Sequence, residues 1–375
     1  MPSLFMVVNE DRFFLSHRKE IAVRAQKTGY EVLIVCKDTG VRRDVEALGL
    51  KMQDMPINPT GSNIREELRT FLFLYRLYKK RKPDIVHHVG LKNILWGGLA
   101  ARLVKVHGVV NAVSGLGVLF SGEKPSLRTK VVMSLMKFSN HRDNISVIFQ
   151  NHEDMDLFVR HDIVAQRHCD YIKGSGVDLN TFAYTPEPEG EEVRVIFTAR
   201  MVKEKGMEVL IEAAEMLRSE MEGRVRFWLC GGLSNNPKAI KREELERLCD
   251  GKYIEWLGYR NDVRDLLAQS HIMAFPSFYR EGLPLSLIEA NAIGRPIITT
   301  RWYGCKDTVD DGVNGFLIPV KDSKALADKL RVLINDRQLR IAMGLKGREK
   351  AEREFSIEDV VSKHLAIYNH LCEKR

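Results

Sequence analysis

Short apolar runs alternate with stretches of helical periodicity along this chain, and they do so twice over. In the first half, apolar runs at 4–8, 31–36, 84–90, 109–114 and 144–150 alternate with helical stretches near 13–28, 62–81, 92–105, 126–138 and 151–161. The second half repeats the order, with runs at 193–197, 225–229, 253–257, 272–276 and 296–300. Parallel neighbours need a long crossover, usually a helix, so repeated β-α units predict parallel sheets covered on both faces. Residues 322–372 read as helices only. Tyr184-Thr185-Pro186-Glu187-Pro188-Glu189-Gly190-Glu191-Glu192 reads as a linker, having two prolines, a glycine and a run of acids. The 375 residues exceed one typical core. The expected class is therefore α/β, with two doubly wound Rossmann-like domains, 1–185 and 186–355, facing each other across a cleft. Residues 356–375 form a last helix able to pack back on the first domain.

One segment concentrates the chemistry. It runs Tyr279-Arg280-Glu281-Gly282-Leu283-Pro284-Leu285-Ser286-Leu287-Ile288-Glu289-Ala290-Asn291-Ala292-Ile293-Gly294-Arg295-Pro296. From Leu283 the apolar residues fall at helical spacing, and Gly294 followed by Pro296 is a stop signal. Glu281 then lies on the loop before a helix and Glu289 inside it. The amides of Leu285 and Ser286 fall in the first turn, without intrahelical partners and at the positive end of the dipole, which suits a diphosphate. An acid inside such a helix suits a ribose diol, and an acid at its mouth suits a sugar hydroxyl. Upstream, Arg200 ends the strand that starts at 193 and Lys205 opens the next helix. A fork and a point charge thus reach one phosphate group. A solvated charged loop explains any two such cations alone; the nearby pair of acids favours phosphate. The Gly258-Tyr259-Arg260 turn is either an ordinary turn or a hold on a nucleobase through backbone groups and the Tyr259 ring.

The first half is less specific. No GxGxxG follows strand 4–8, which argues against a Rossmann NAD site. Ser16 and His17 sit where the first loop turns into a helix and are candidates for the cleft. Gly115-Leu116-Gly117 is either a plain turn or one that admits a ligand close to the backbone. His87 and His88 alternate across a strand, so at most one faces the cleft. Asp154 and Asp156 form a nominal DxD, yet they follow Asn151, a good N-cap, where acids suit the helix dipole. No metal site is expected.

Charge is unevenly placed. Residues 1–185 carry 27 Lys/Arg against 19 Asp/Glu and so hold the whole formal excess of +8. That asymmetry suggests an anionic partner for the first half. No nucleic-acid motif is present, and a phospholipid surface or lipid diphosphate fits better. The basic stretch 126–138 is either a core helix or a membrane-facing one, and Lys79-Lys80-Arg81-Lys82 is either a solvated helix end or a lipid contact. No apolar run approaches the ~20 residues needed to span a bilayer. Six cysteines without metal or disulfide spacing fit a reducing compartment.

Taken together, these residues resemble those of the family 4 glycosyltransferases, which have the GT-B fold. The resemblance is carried by Thr198-Ala199-Arg200 to Lys205-Gly206, Gly231-Gly232, Leu257-Gly258, Glu281-Gly282-Leu283-Pro284 to Glu289-Ala290, and Asp311-Gly312-Val313-Asn314-Gly315-Phe316-Leu317. It implies that Arg200 and Lys205 hold the donor diphosphate, Glu289 the ribose and Glu281 the donor sugar. The donor-binding turn includes Gly282, Leu283, Leu285 and Ser286, with Tyr259 and Arg260 nearby. Lys92, 113–117 and 174–178 are similar to a branch acting on undecaprenyl-diphosphate glycans, the nearest likeness being α-1,3-N-acetylgalactosaminyltransferases. Lys92 thereby joins Ser16, His17, Gly115 and Gly117 as an acceptor-side candidate. Two departures stand out: the first donor loop lacks Gly-Gly, and Gly115-Leu116-Gly117 stands where others carry a cleft histidine.

The resemblance implies a retaining, metal-independent transferase with no cofactor. It would move an N-acetylhexosamine, GalNAc first, from a UDP-sugar to a polyprenyl-diphosphate-linked saccharide. The expected place is cytoplasmic, at the inner face of the cell membrane. A UDP-sugar 2-epimerase of the same fold and a non-catalytic nucleotide-sugar or lipid-binding module are the alternatives.

Overall fold

The computed structural model describes residues 1–59, 61, 63–116, 126–234 and 239–373. The chain divides into two compact units, Met1–Gly176 with Ile357–Arg375, and Val177–Ser356.

Among the described residues, the first unit builds a parallel sheet from β1 (Ser3–Glu10), β2 (Glu31–Lys37), β3 (Lys51–Asp54), β4 (Ile85–Val89), β5 (Gly108–Val113), β6 (Ile145–Phe149) and β7 (Cys169–Tyr171). The spatial order is β3-β2-β1-β4-β5-β6-β7, so the winding reverses between β1 and β4. The crossovers are α1 (Asp11–His17), α2 (Lys19–Lys27), α3 (Arg42–Ala47), α4 (Ile64–Arg81), α5 (Leu91–Val104), α6 (Leu127–Asn140) and α7 (His152–Arg160). Alternate residues of a strand point to opposite faces. Leu4, Met6 and Val8 accordingly enter one core, while Phe5 and Val7 enter the other.

Periodicity alone missed β3, α3 and β7. Lys51-Met52-Gln53-Asp54 and Cys169-Asp170-Tyr171 are edge segments with one or two apolar positions, too short to show a pattern. It also read 13–28 as one helix. The chain breaks at Arg18, whose backbone adopts φ −135°, ψ −7°. The Arg18 side chain is buried and donates to the His17 carbonyl (2.9 Å) and Ser175 Oγ (2.8 Å). A second function of the break is thus to bring a cation inward from a helix that would otherwise expose it.

In the second unit, the described residues form β8 (Val193–Thr198), β9 (Val225–Cys230), β10 (Ile254–Gly258), β11 (Ile272–Phe275), β12 (Ile297–Thr300) and β13 (Gly315–Ile318), ordered β10-β9-β8-β11-β12-β13. The reversal lies between β8 and β11, and the loops leaving their C-terminal ends part there to form a crevice. The helices are α8 (Met207–Met221), α9 (Arg242–Leu248), α10 (Val263–Gln269), α11 (Leu285–Ile293), α12 (Ser323–Asn335) and α13 (Arg337–Glu354). α14 (Ile357–Glu373) returns to the first unit, where Val360, Val361, Tyr368 and Leu371 complete one of its cores.

The changeover between units falls at Gly176, not at 185. The stretch that composition marks as a linker is strapped to the second unit by arginines. Arg295 is 1 % exposed and donates to the carbonyls of Thr185 (2.8 Å) and Pro186 (3.2 Å). Arg348 donates to the Phe182 carbonyl (2.8 Å). Arg340 meets Glu187 through two bonds of 2.8 and 2.7 Å, with both side chains almost fully buried. A proline- and acid-rich strand offers carbonyls and carboxylates, which are what buried guanidiniums require.

Arg340→Ala leaves Glu187 buried without its main cation. We expect a loss of roughly 3–5 kcal/mol, as for a broken buried pair. Urea denaturation followed by intrinsic fluorescence measures it. A loss under ~1 kcal/mol would show that water or Arg337 replaces the pair.

Candidate functional site

The segments that follow β8 and β11 carry Arg200, Lys205, Glu281 and Glu289, while Tyr259 and Arg260 follow β10. After β8 the chain turns through Arg200 and a short turn at Lys203–Lys205, then enters α8 at Gly206. Gly206 has φ +86°, and a Cβ there would come 2.0 Å from the Pro276 carbonyl. Only glycine lets the loop after β8 lie on the loop after β11. Across that contact the Lys205 ammonium forms an ion pair with Glu281 Oε1, both side chains being largely buried. It also lies 5.3 Å above the Tyr279 ring and 5.6 Å above that of Phe275. Arg200 is exposed and makes no ion pair among the described residues.

α11 opens behind Pro284, its N-cap, with no side-chain cap. The first backbone bonds inside the helix are Leu287 N–H and Ile288 N–H to the Pro284 carbonyl (3.1 and 3.4 Å). The amides of Leu285 and Ser286 precede them and have no backbone acceptor among the described residues, as expected of a first turn. Gly294 closes the helix in the left-handed region (φ +87°). Glu289 lies on this helix, part-buried, with no hydrogen bond or ion pair among the described residues. Desolvation pushes its carboxyl up to about 8. A carboxyl with no partner among the described residues can receive hydroxyl donors.

Other predicted residues take lesser places. Leu283 is buried in an apolar cluster with Ile288, Ala292 and Phe355, so its side chain is core and only its backbone is available to a ligand. Gly282 is overlain by Gly304, where a Cβ would come 2.1 Å from the Gly282 carbonyl. Tyr259 is 62 % exposed just beyond β10. Arg260 is an ion-pair partner of Asp262 on the surface.

In the first unit, the described candidate side chains Ser16, His17 and Lys92 have local partners. The Lys92 ammonium has three donors, and they meet the carbonyls of Asn58 (2.6 Å) and Gly61 (2.5 Å) and Glu67 Oε1 (2.6 Å). Lys92 therefore fastens a loop and has no donor left for an acceptor. The Ser16 hydroxyl lies 2.6 Å from His17 Nδ1 and is within reach of the Arg12 and Phe13 carbonyls, while the His17 ring stacks on Phe13. Gly115 has φ +107°, a conformation that favours glycine, and Gly117 lies outside the described residues.

Neither histidine of β4 faces solvent. His87 is paired with the Tyr368 hydroxyl (2.7 Å), and His88 with the Tyr78 hydroxyl (2.9 Å) and Asn111 Oδ1 (2.8 Å). Burial lowers His88 to about 4. These are neutral core groups, which removes His88 as a catalytic candidate. Asp154 accepts from the Asn151 side-chain amide, and its own amide donates back to Asn151 Oδ1, the N-cap expected for α7. Sequence reasoning missed Ser277, which is fully buried between the two crevice loops. Its one signal is a hydroxyl at the end of an otherwise apolar strand.

Comparison with known proteins follows the two units. Residues 4–151 match the family described as "Glycosyl transferase 4-like", and residues 192–336 match "Glycosyl transferases group 1". The chain is 27% identical over 357 residues to the N,N'-diacetylbacillosaminyl-diphospho-undecaprenol alpha-1,3-N-acetylgalactosaminyltransferase of Campylobacter jejuni, covering 92% of each. It is 26% identical over 352 residues to the UDP-Gal:alpha-D-GlcNAc-diphosphoundecaprenol alpha-1,3-galactosyltransferase of Escherichia coli, covering 90% of this chain and 89% of that one. Among solved structures, Anabaena HepE in complex with UDP and glucose superposes with a TM-score of 0.80 at 18% identity, over 99% of this chain and 100% of that chain. WaaG, a glycosyltransferase of lipopolysaccharide biosynthesis, gives 0.75 at 15% identity, over 96% and 98%. The fold is GT-B.

The Glu289 carboxyl makes a testable statement about stability. Its ordinary value is 4.5 and its folded value about 8, so the folded chain holds the proton more tightly. The resulting stabilisation is complete below the unfolded value and is lost as pH rises through the folded one. Glu289→Gln removes that dependence. Its Tm relative to wild type should climb from pH 4.5 to 8 and level off above. A constant difference across that window would mean that the carboxyl is hydrated.

Proposed function

We propose that this chain, which belongs to the glycosyltransferases, moves a sugar from a UDP-sugar to an undecaprenyl-diphosphate-linked saccharide. The observation that carries the reading is the crevice itself. Arg200 and Lys205 follow β8, Glu281 follows β11, and α11 carries Glu289 and two first-turn amides with no backbone acceptor among the described residues; β8 and β11 flank the winding reversal. That set matches a nucleoside diphosphate: amides and cations for the diphosphate, Glu289 for the ribose diol, Glu281 for a sugar hydroxyl. The two relatives aligned over nine-tenths of the chain act on undecaprenyl-diphosphate-linked sugars by name, and one of them uses UDP-Gal. N-acetylgalactosamine is the first donor sugar to test, on the likeness to the Campylobacter jejuni enzyme.

When the donor bond breaks, negative charge grows on the leaving diphosphate. In this reading Lys205, Arg200 and the α11 amides supply positive charge beside it, the arrangement that lowers such a barrier most. In the proposed retaining route, the acceptor hydroxyl attacks the anomeric carbon from the face the diphosphate leaves. The C–O bond to phosphate breaks as the new glycosidic bond forms, and the departing phosphate oxygen takes the hydroxyl proton. Glu281 positions the sugar and is not the nucleophile. The cations carry the charge that a divalent ion carries in other transferases, so EDTA should leave turnover intact.

The test is UDP release from a panel of UDP-sugars, with and without an undecaprenyl-diphosphate saccharide, in EDTA. Lipid-dependent release is expected, with Lys205→Ala and Arg200→Ala each lowering kcat by roughly 10²-fold. Isomerised free nucleotide sugar would instead establish an epimerase, and no turnover with intact UDP binding would leave a binding module.

We propose further that the first unit docks on anionic lipid. No described helix is long and apolar enough to cross a membrane. α6 exposes Leu127 (80 %), Val131 and Phe138 beside Arg128 and Lys130. Of the residues that core packing would explain, Met136 is buried but Val131 is half exposed. α4 likewise exposes Ile64, Leu68 and Leu72 at four-residue spacing, on a helix ending in Lys79, Lys80 and Arg81. Each cation near an anionic surface contributes roughly 1 kcal/mol, weakened by salt. Lys137 is already paired with Asp162, so Arg128→Glu/Lys130→Glu is the cleaner variant. Co-sedimentation with anionic vesicles should fall as salt rises and fall again in that variant. Equal binding to neutral vesicles would place the lipid surface elsewhere.

A further inference from the structure

Tyr279 lies two residues before Glu281 on the loop that follows β11. Hydrogen bonds fix the backbone there: its amide donates to Ser277 Oγ at 3.2 Å, and the neighbouring Phe278 amide donates to the Glu204 carbonyl at 2.9 Å. The Lys205 ammonium, ion-paired with Glu281, stands over the Tyr279 ring at 5.3 Å from its centre, within cation–π range. The ring is thus seated beneath the cation that the donor reading assigns to the diphosphate.

The hydroxyl at the end of that ring is not used by the fold. A buried tyrosine usually finds a partner for its hydroxyl, as Tyr368 does in His87 and Tyr78 in His88. Tyr279 is part-buried, yet its hydroxyl makes no hydrogen bond among the described residues and its oxygen is not enclosed. Burial first and the Glu281 carboxylate next raise its pKa, while the Arg200 guanidinium opposes the rise. The phenol therefore keeps its proton at neutral pH and has one hydrogen bond to give. Arg200, exposed, is likewise without an ion pair among the described residues.

Resting on the donor reading above, we propose that Tyr279 is a further donor-binding residue, its hydroxyl donating to a non-bridging oxygen of the β-phosphate, the phosphate that carries the sugar. The place follows from its neighbours. Glu281, two residues on, is assigned the sugar; Lys205, over the ring, is assigned the diphosphate; the β-phosphate is the group that joins the two. The α-phosphate and the nucleoside lie beyond the hydroxyl. Its proton stays on the tyrosine throughout. As the bond from sugar to phosphate breaks, charge collects on the β-phosphate and the hydrogen bond to it strengthens.

Calorimetry with UMP, with UDP and with a UDP-sugar that wild type binds, on wild type and Tyr279→Phe, reads which part of the donor the hydroxyl meets. Tyr279→Phe keeps the ring under Lys205 and removes one oxygen that the fold does not hold, so its Tm should equal that of wild type. It should bind UMP within about twofold of wild type and UDP about tenfold more weakly, the size of one hydrogen bond to a charged group. The sugar should add the same further affinity in both proteins. Its kcat should fall by about tenfold or more, because the lost bond is strongest as the diphosphate leaves. Equal UDP affinity in the two proteins would overturn the proposal. So would an equal loss for UMP and UDP, a loss seen only when the sugar is present, or a lowered Tm, which would show that the fold itself uses the hydroxyl. A wild type that binds no UDP ends the donor reading itself, and that result is seen before any substitution is made.

Discussion

Parallel strands cannot be joined by tight turns, and every one of the sheet pairings among the described residues is parallel. Each strand must be followed by a crossover, so helices cover both faces and all strands end on the same edge. The winding then has to reverse somewhere, and the loops on either side of the reversal diverge. In the second unit this happens between β8 and β11. The location of the crevice is thus a consequence of topology.

Within the crevice, two carboxylates of one segment are held in opposite electrostatic states. Glu281 is paired with Lys205, while Glu289 has no cation and is pushed up to about 8 by desolvation. Their separation follows from local structure: one lies on a loop that touches the neighbouring strand's loop, the other on the helix that the loop becomes. A paired acid is a rigid acceptor with a partner that a ligand must displace. A dry, unpaired acid has unused capacity for a ligand's hydroxyls. The same residue type thereby takes two electrostatic states within one segment.

Much of this was legible in the chain. The double β-α alternation gave two doubly wound units, and the stop signal Gly294 with Pro296 placed α11 to within a residue or two. Spacing sets Arg200, Lys205 and Glu281 at element ends and Glu289 inside the helix that follows, which marks them as candidates for one site. Errors came where long-range contacts decide. Pro186 and Glu187 look like linker residues until Arg295 and Arg340 bury their carbonyl and carboxylate. Lys92 looks free until the Asn58 and Gly61 carbonyls and Glu67 take its three donors. The arginines and the carbonyls they bind lie far apart in sequence, so no local pattern records their pairing.

The amino-acid sequence by itself determined the elements, their order and which of them end in charge, because periodicity, caps and turn residues act over a few positions. It also fixed the uneven charge, with the entire excess of +8 in residues 1–185. Tertiary structure alone decided which charges are spent and which are available. Lys205 meets Glu281 across 76 residues of chain, Arg340 meets Glu187 across 153, and His87 meets Tyr368 across 281. The physical reason is desolvation: a polar group is committed only when folding removes its water and supplies a partner, and both events depend on neighbours that the linear order does not reveal.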